Sequence, residues 1–179
     1  AKYGDQNEGY YQLTFVPSDL ISQDVSPKKI CYLIDYDKNF TSQNIKTLIS
    51  ELSLDIQNNI GKNDKFNVIF SNLTPSPYFT DWVDATSENI NNAFNSDKIS
   101  QYSNLISLLA TGIEYVNKDT EPSSIVLITN NCSFNNLDVA NAILKDLTAL
   151  NVNNKPIHVI DYTEGTYVYT WLANSYYFN

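Results

Sequence analysis

Short apolar runs alternate along this chain with stretches whose apolar residues recur every three or four positions. The runs fall at Lys29–Asp35, 65–72, 124–129 and 157–161. Such runs, apolar on consecutive positions, suit strands buried on both faces, as in a parallel sheet. Parallel strands need crossover connections, and the intervening helical patterns supply them. Strand and helix in alternation build right-handed βαβ units.

The remaining segments fit around this frame. Residues 9–16 alternate, with Tyr11, Leu13 and Phe15 on one face, and predict a half-exposed leading strand. A polar linker follows at 17–28. Thr41 or Ser42 is expected to cap a helix carrying Ile45, Leu48, Ile49, Leu52, Ile56 and Ile60, with Gly61 as its stop. After a Pro-rich turn, a short strand over 78–83 belongs at the sheet edge. Thr86 caps a helix running to Phe94, and Ser103 caps a strongly apolar one through Leu105, Ile106, Leu108, Leu109, Ile113 and Val116. Asn136 opens another with Val139, Ala140, Ile143, Leu144, Leu147 and Leu150, and a last helix is expected near 169–174. The whole predicts one domain over 1–179 with its core at 29–162. Its expected fold is Rossmann-like and doubly wound α/β, with a mostly parallel central sheet, one antiparallel edge strand and helices on both faces.

Length agrees: 179 residues bury one good core and are short for two. Eleven basic residues against twenty acidic give a net charge of −9. That surface repels phosphate backbones, so nucleic acid is not an expected partner. Acidic membrane surfaces are disfavoured alike, and no apolar run has the length of a membrane span. Ala1 to Glu8 lack the basic start and apolar core of a signal peptide. Asn179 closes the run Tyr176-Tyr177-Phe178, an odd natural terminus, and the chain is expected to be part of a longer one. Cys31 near the start of one strand and Cys132 past the end of another would sit at opposite ends of the sheet. They are too far apart for a disulfide, which needs Cα atoms within about 7 Å.

Chemistry concentrates where the first run ends. In Cys31-Tyr32-Leu33-Ile34-Asp35-Tyr36-Asp37-Lys38-Asn39, oxygen-bearing side chains occupy alternate positions past the strand. Ligands of open α/β sheets bind outside the carboxyl ends of the strands. Asp35, Asp37 and Asn39 would meet there with Ser103, at a helix start, and Asn130, ending the run 125–129. An all-oxygen set with two charges suits a hard divalent cation, Mg²⁺ or Ca²⁺. No G-x-G-x-x-G, Walker A or G-x-S-x-G sequence is present. His158, the one histidine, lies inside a strand run, which favours a structural role over catalysis. One His and two separated Cys make zinc unsuitable.

Ordered segments carry a resemblance. Glu8-Gly9-Tyr10-Tyr11-Gln12-Leu13-Thr14-Phe15-Val16-Pro17, Pro27-Lys28-Lys29-Ile30-Cys31-Tyr32-Leu33-Ile34-Asp35 and Gly61-Lys62-Asn63-Asp64-Lys65-Phe66-Asn67-Val68-Ile69 stand in sequence. Ala85-Thr86-Ser87-Glu88-Asn89 and Ile125-Val126-Leu127-Ile128-Thr129-Asn130 follow. Together they resemble the von Willebrand factor A domain, of the bacterial and inter-alpha-trypsin-inhibitor heavy-chain type. The D-R-F-N-like segment at 64–67 is the most specific match. The family's hallmark is a metal-ion-dependent adhesion site of pattern D-x-S-x-S, a threonine and a late aspartate. Asp35 matches it. Asp37 and Asn39 replace the two serines, Ser103 stands for the threonine, and Asn130 replaces the late aspartate. One carboxylate is lost and one gained, so the formal charge of the set is kept.

The resemblance implies a non-catalytic protein-binding module of a larger extracytoplasmic protein, at the cell surface or secreted. Its cation would take an acidic residue of a protein partner. Asp37 is longer than serine and Asn39 bulkier, which suits flexible Ca²⁺ better than octahedral Mg²⁺ and leaves a purely hydrogen-bonded site open. Two rivals use the same residues. A haloacid-dehalogenase-like phosphohydrolase also ends its first strand in D-x-D, with Asp35 as nucleophile, Asp37 as acid/base and Thr129 as the second motif. A purely structural domain would bind nothing and use its thirteen tyrosines in packing.

Overall fold

Strand β1 (Lys29–Asp35) lies at the centre of the sheet because its side chains are apolar in both directions. The computed structural model describes residues 27–37, 44–94, 103–130 and 137–161. After β1 come α1 (Ile45–Asn59), β2 (Lys65–Phe70), β3 (Val83–Asp84), α2 (Ser87–Phe94), α3 (Leu105–Asn117), β4 (Ser123–Thr129), α4 (Leu137–Leu150) and β5 (Ile157–Asp161). The sheet order is β3-β2-β1-β4-β5. β2, β1, β4 and β5 run parallel, and β3 pairs antiparallel with β2 at the edge. This is the expected doubly wound architecture.

Two core layers follow from the period-two alternation of β1. Cys31 and Leu33 point into a layer formed with α3, α4, β4 and β5, around Leu108, Leu109, Ile113, Ile125 and Leu147. Tyr32 and Ile34 point to the other face, against Ile49 and Ile56 of α1, Ile90 and Phe94 of α2, and Phe66 and Val68 of β2. Helix α3 approaches β1 closely at Gly112, where a Cβ would lie 2.7 Å from a Leu33 methyl.

The D-x-F-N segment proves structural. Asp64 is buried and its two oxygens accept from the Lys28 and Gly61 amides, each at 2.8 Å. A Cβ at Gly61 would fall 2.9 Å from the same carboxylate, so this glycine makes room for Asp64. Phe66 is wholly buried. The Asn67 amide donates to the carbonyls of Phe79 (2.9 Å) and Asp81 (3.3 Å) and to the Tyr115 hydroxyl (2.7 Å). Its oxygen accepts from the Val68 and Phe79 amides.

Asn67 also explains a difference from expectation. Backbone near 79–81 is hooked onto its side chain, so the edge strand is confined to Val83–Asp84, with a single bridge from Ile69 to Pro77. Two caps differ as well. Asn44 caps α1, its oxygen accepting from the Lys46 amide at 2.8 Å, in place of Thr41 or Ser42. Asn104 is the N-cap residue of α3, without a side-chain cap bond, and the Ser103 hydroxyl is engaged elsewhere. Thr86 does cap α2, accepting from the Asn89 amide. Cys31 is buried and free, and burial pushes its thiol pKa up. His158 lies in β5 with an exposed side chain. The leading strand at 9–16, Asn39, Cys132, Asn136 and the last helix near 169–174 lie outside the described residues.

Candidate functional site at the carboxyl rim

Parallel strands place all their carboxyl ends on one rim, and β1 in the middle delivers Asp35 to it between β2 and β4. Asp35 is paired in register with Thr129, the last residue of β4. Ile34 pairs with Phe70, so Ser71 is the next residue on the other flank. Both flanking residues are hydroxylic.

The result is a carboxylate held among hydroxyls. Asp35 is 0% exposed. The Ser103 hydroxyl donates to its Oδ1 at 2.6 Å and the Thr129 hydroxyl to its Oδ2 at 2.8 Å. Ser71 also hydrogen-bonds to it. Ser71 Oγ in turn accepts from the Asn104 amide at 2.6 Å, fixing the start of α3 beside Ser103. Burial pushes the Asp35 carboxyl pKa above its ordinary value. The three hydroxyls pull the other way, and the Asp37 charge adds to the rise.

Asn130, one step beyond β4, is wholly buried and clasps the backbone of Asp37. Its oxygen accepts from the Asp37 amide at 2.8 Å, and its NH₂ donates to the Asp37 carbonyl at 2.9 Å. This two-point clasp extends the β1–β4 pairing past the sheet and holds the loop that carries Asp37. Tyr36 between the two acids is buried, and burial raises its phenol pKa, with Asp37 adding to the rise.

Of the sequence-predicted residues, Asp35, Asp37, Ser103 and Asn130 therefore meet at one rim. Asn39 is outside the described residues. Ser71 was missed, and Thr129 was noticed only for a phosphatase. Thr129 was legible as the hydroxylic residue ending a strand beside an acid-terminated one, whereas Ser71, one step past β2, carried no such mark. Among the described residues no group of three or more His, Cys, Asp or Glu is gathered as a metal centre. The donor set here is two carboxylates completed by neutral oxygens, which is the chemistry of a hard cation.

No protein-family model matches the sequence, and no curated protein matches it. Solved structures do. An aerotolerance-related membrane protein from Bacteroides fragilis gives a TM-score of 0.52 at 12% identity, over 75% of this chain and 67% of that one. The vWF domain of the type V pili tip protein Mfa5 from Porphyromonas gingivalis gives 0.46 at 12% identity, over 59% and 38%. Proximal thread matrix protein 1 of the mussel byssus, with a zinc-occupied MIDAS motif, gives 0.47 at 14% identity, over 75% and 35%. This chain thus spans 38% and 35% of the length of the last two, and only the first similarity bears on its architecture. The chain has the von Willebrand factor A fold.

Proposed function

We propose that this domain is a non-catalytic protein-binding module of a larger extracytoplasmic protein, working through the carboxyl rim. The observation that carries the reading is the Asp35 cradle, in which side chains from separate segments converge on one buried acid. Asp35 and Asp37 would hold Mg²⁺ or Ca²⁺ by charge, with neutral oxygens from Ser103, Asn39 and Asn130. Asn130 keeps a lone pair beyond the one that accepts from Asp37. When bound, the cation would supply the positive charge that takes a carboxylate of the protein partner. Ser103 orients Asp35 by donating to its Oδ1, and the Asn130 clasp holds the backbone that carries Asp37. The phosphatase alternative lacks the acidic pair expected after a later strand, Asp161 standing alone before Tyr162. No helix among the described residues is long and apolar enough to cross a membrane.

The test is ion binding by the chain itself. An ion at 100 times its Kd stabilises a fold by about 2.7 kcal/mol, readable as a shift in Tm. Mg²⁺ or Ca²⁺ is expected to raise Tm, and Asp35→Ala and Ser103→Ala to abolish the rise. Absence of any shift with either ion overturns the cation-dependent reading. Partner binding that survives both EDTA and Asp35→Ala would leave a rim that works by direct contact.

A further inference from the structure

The amino rim, where β1 and β4 begin, carries an open cleft of about 680 Å³. Its lining includes Lys28, Lys29, Glu121, Ser123, Asn153 and Lys155. Three lysines meet there in a chain of net charge −9. Register places Lys29 beside Ser123, so the start of β1 and the start of β4 form one wall.

The three lysines are not equivalent. Lys29 carries both nearby acids, Asp119 at 2.5 Å and Glu121 at 2.7 Å. Lys155 is 8% exposed, yet its ammonium donates only to neutral acceptors, the carbonyls of Asp119 (3.0 Å) and Glu121 (2.7 Å). An ammonium has three N–H donors. The third has no acceptor among the described residues. Lys28 makes no ion pair among the described residues. Three ammonium groups thus line the cleft, and the carboxylates of Asp119 and Glu121 both pair with one of them, Lys29.

Ser123 supplies an independent observation. It is 6% exposed, lines the cleft, and its hydroxyl has no hydrogen-bond partner among the described residues. Burying a hydroxyl unpaired is unfavourable. The turn opposite is rigid: Asn151 accepts from the Lys155 amide and donates to its carbonyl, each at 2.9 Å, and Asn154 takes a φ of 48°. Lys155 is therefore presented in a fixed place. Among the described residues Ser123 and Lys155 each have an unused donor here, and Lys28 adds a positive charge.

We propose that this cleft binds a small oxyanion, a phosphate or a carboxylate, through the Ser123 hydroxyl and the Lys155 ammonium, with Lys28 adding charge. The site lies at the opposite rim from Asp35 and does not depend on a cation there.

The experiment is a titration of the ¹⁵N-labelled 179-residue chain with inorganic phosphate and with succinate, against sodium chloride at matched ionic strength. Saturable shifts of the Ser123, Ser124 and Lys155 amides are expected with one or both anions and not with chloride. Saturation by phosphate alone identifies phosphate chemistry, and saturation by succinate alone identifies carboxylate chemistry. Ser123→Ala and Lys28→Gln are expected to weaken binding at least about fivefold while Tm stays near wild type. Shifts absent from these amides, reproduced by chloride, or unchanged in both variants would overturn the site.

Discussion

Asp35 and Asp119 sit at opposite rims of one sheet, and burial acts on both, yet their carboxyls titrate in opposite directions. At the carboxyl rim, burial raises Asp35, and hydrogen bonds from Ser103, Thr129 and Ser71 do not cancel the effect. At the amino rim, burial also pushes Asp119 up, but the Lys29 hydrogen bond, the Glu121 amide and the charges of Lys29 and Lys155 outweigh it, so the pKa falls. Lys29 rises in turn, through its hydrogen bonds to Asp119 and then Glu121. Neutral donors offset part of the burial of Asp35, whereas an opposite charge together with hydrogen bonds outweighs the burial of Asp119. One rim keeps an acid under electrostatic tension that a cation would relieve, while the other has settled its acids internally.

Removing the Lys155 ammonium should do the most damage. Lys155→Met leaves the carbonyls of Asp119 and Glu121 without their donor, at a cost of about 2–4 kcal/mol in urea denaturation. A loss under 1 kcal/mol would mean that water replaces the ammonium and that the amino rim is less closed than the contrast assumes. Next comes Asn130→Ala, which unclasps the Asp37 backbone and should cost about 2 kcal/mol. Hydrogen exchange at the Asp37 amide should quicken with it. An unchanged exchange rate would mean that the loop holds its shape without the clasp.

The two acids should then separate by pH. Asp119→Asn should cost about 1 kcal/mol at pH 7, a partly exposed pair being weak. Because the folded pKa of Asp119 is lowered, its contribution exists above the unfolded value of about 3.9 and is lost as pH falls through the folded value. Wild type and variant should therefore converge in acid. Asp35 has the opposite sign. Its folded pKa is raised, so the native state holds the proton longer and stability declines as pH rises from about 4 through the folded value. Asp35→Asn removes that decline and should stay within about 1 kcal/mol of wild type in the absence of divalent ions. A loss of about 3 kcal/mol or more at pH 7 would show that the hydroxyl cradle outweighs burial after all, erasing the contrast.

Much of this was legible because strand burial is written in consecutive apolar residues. Runs at 29–35 and 124–129 foretold β1 and β4, and their adjacency turned Asp35, Ser103 and Asn130 into one rim. Ser71 was not legible, since nothing in a lone serine after Phe70 says that it bonds an acid on the neighbouring strand. Two helix starts were read one to three residues early, at Thr41 or Ser42 for Asn44 and at Ser103 for Asn104, because several capping residues stood together and only tertiary position separates them. In the sequence the segment 64–67 served as a family mark. In the fold Asp64 secures the Lys28 and Gly61 amides, and Asn67 ties β2 to the following loop and to Tyr115.

The order of apolar and polar residues by itself determined the parallel α/β architecture, since that order fixes which segments must be buried on both faces. It also determined that an acid ends the central strand. Only the tertiary structure decided what surrounds each charge: hydroxyls for Asp35, an ammonium for Asp119, carbonyls for Lys155. The reason is that strand pairing joins residues some 90 positions apart, and the electrostatic environment of a side chain depends on those distant neighbours.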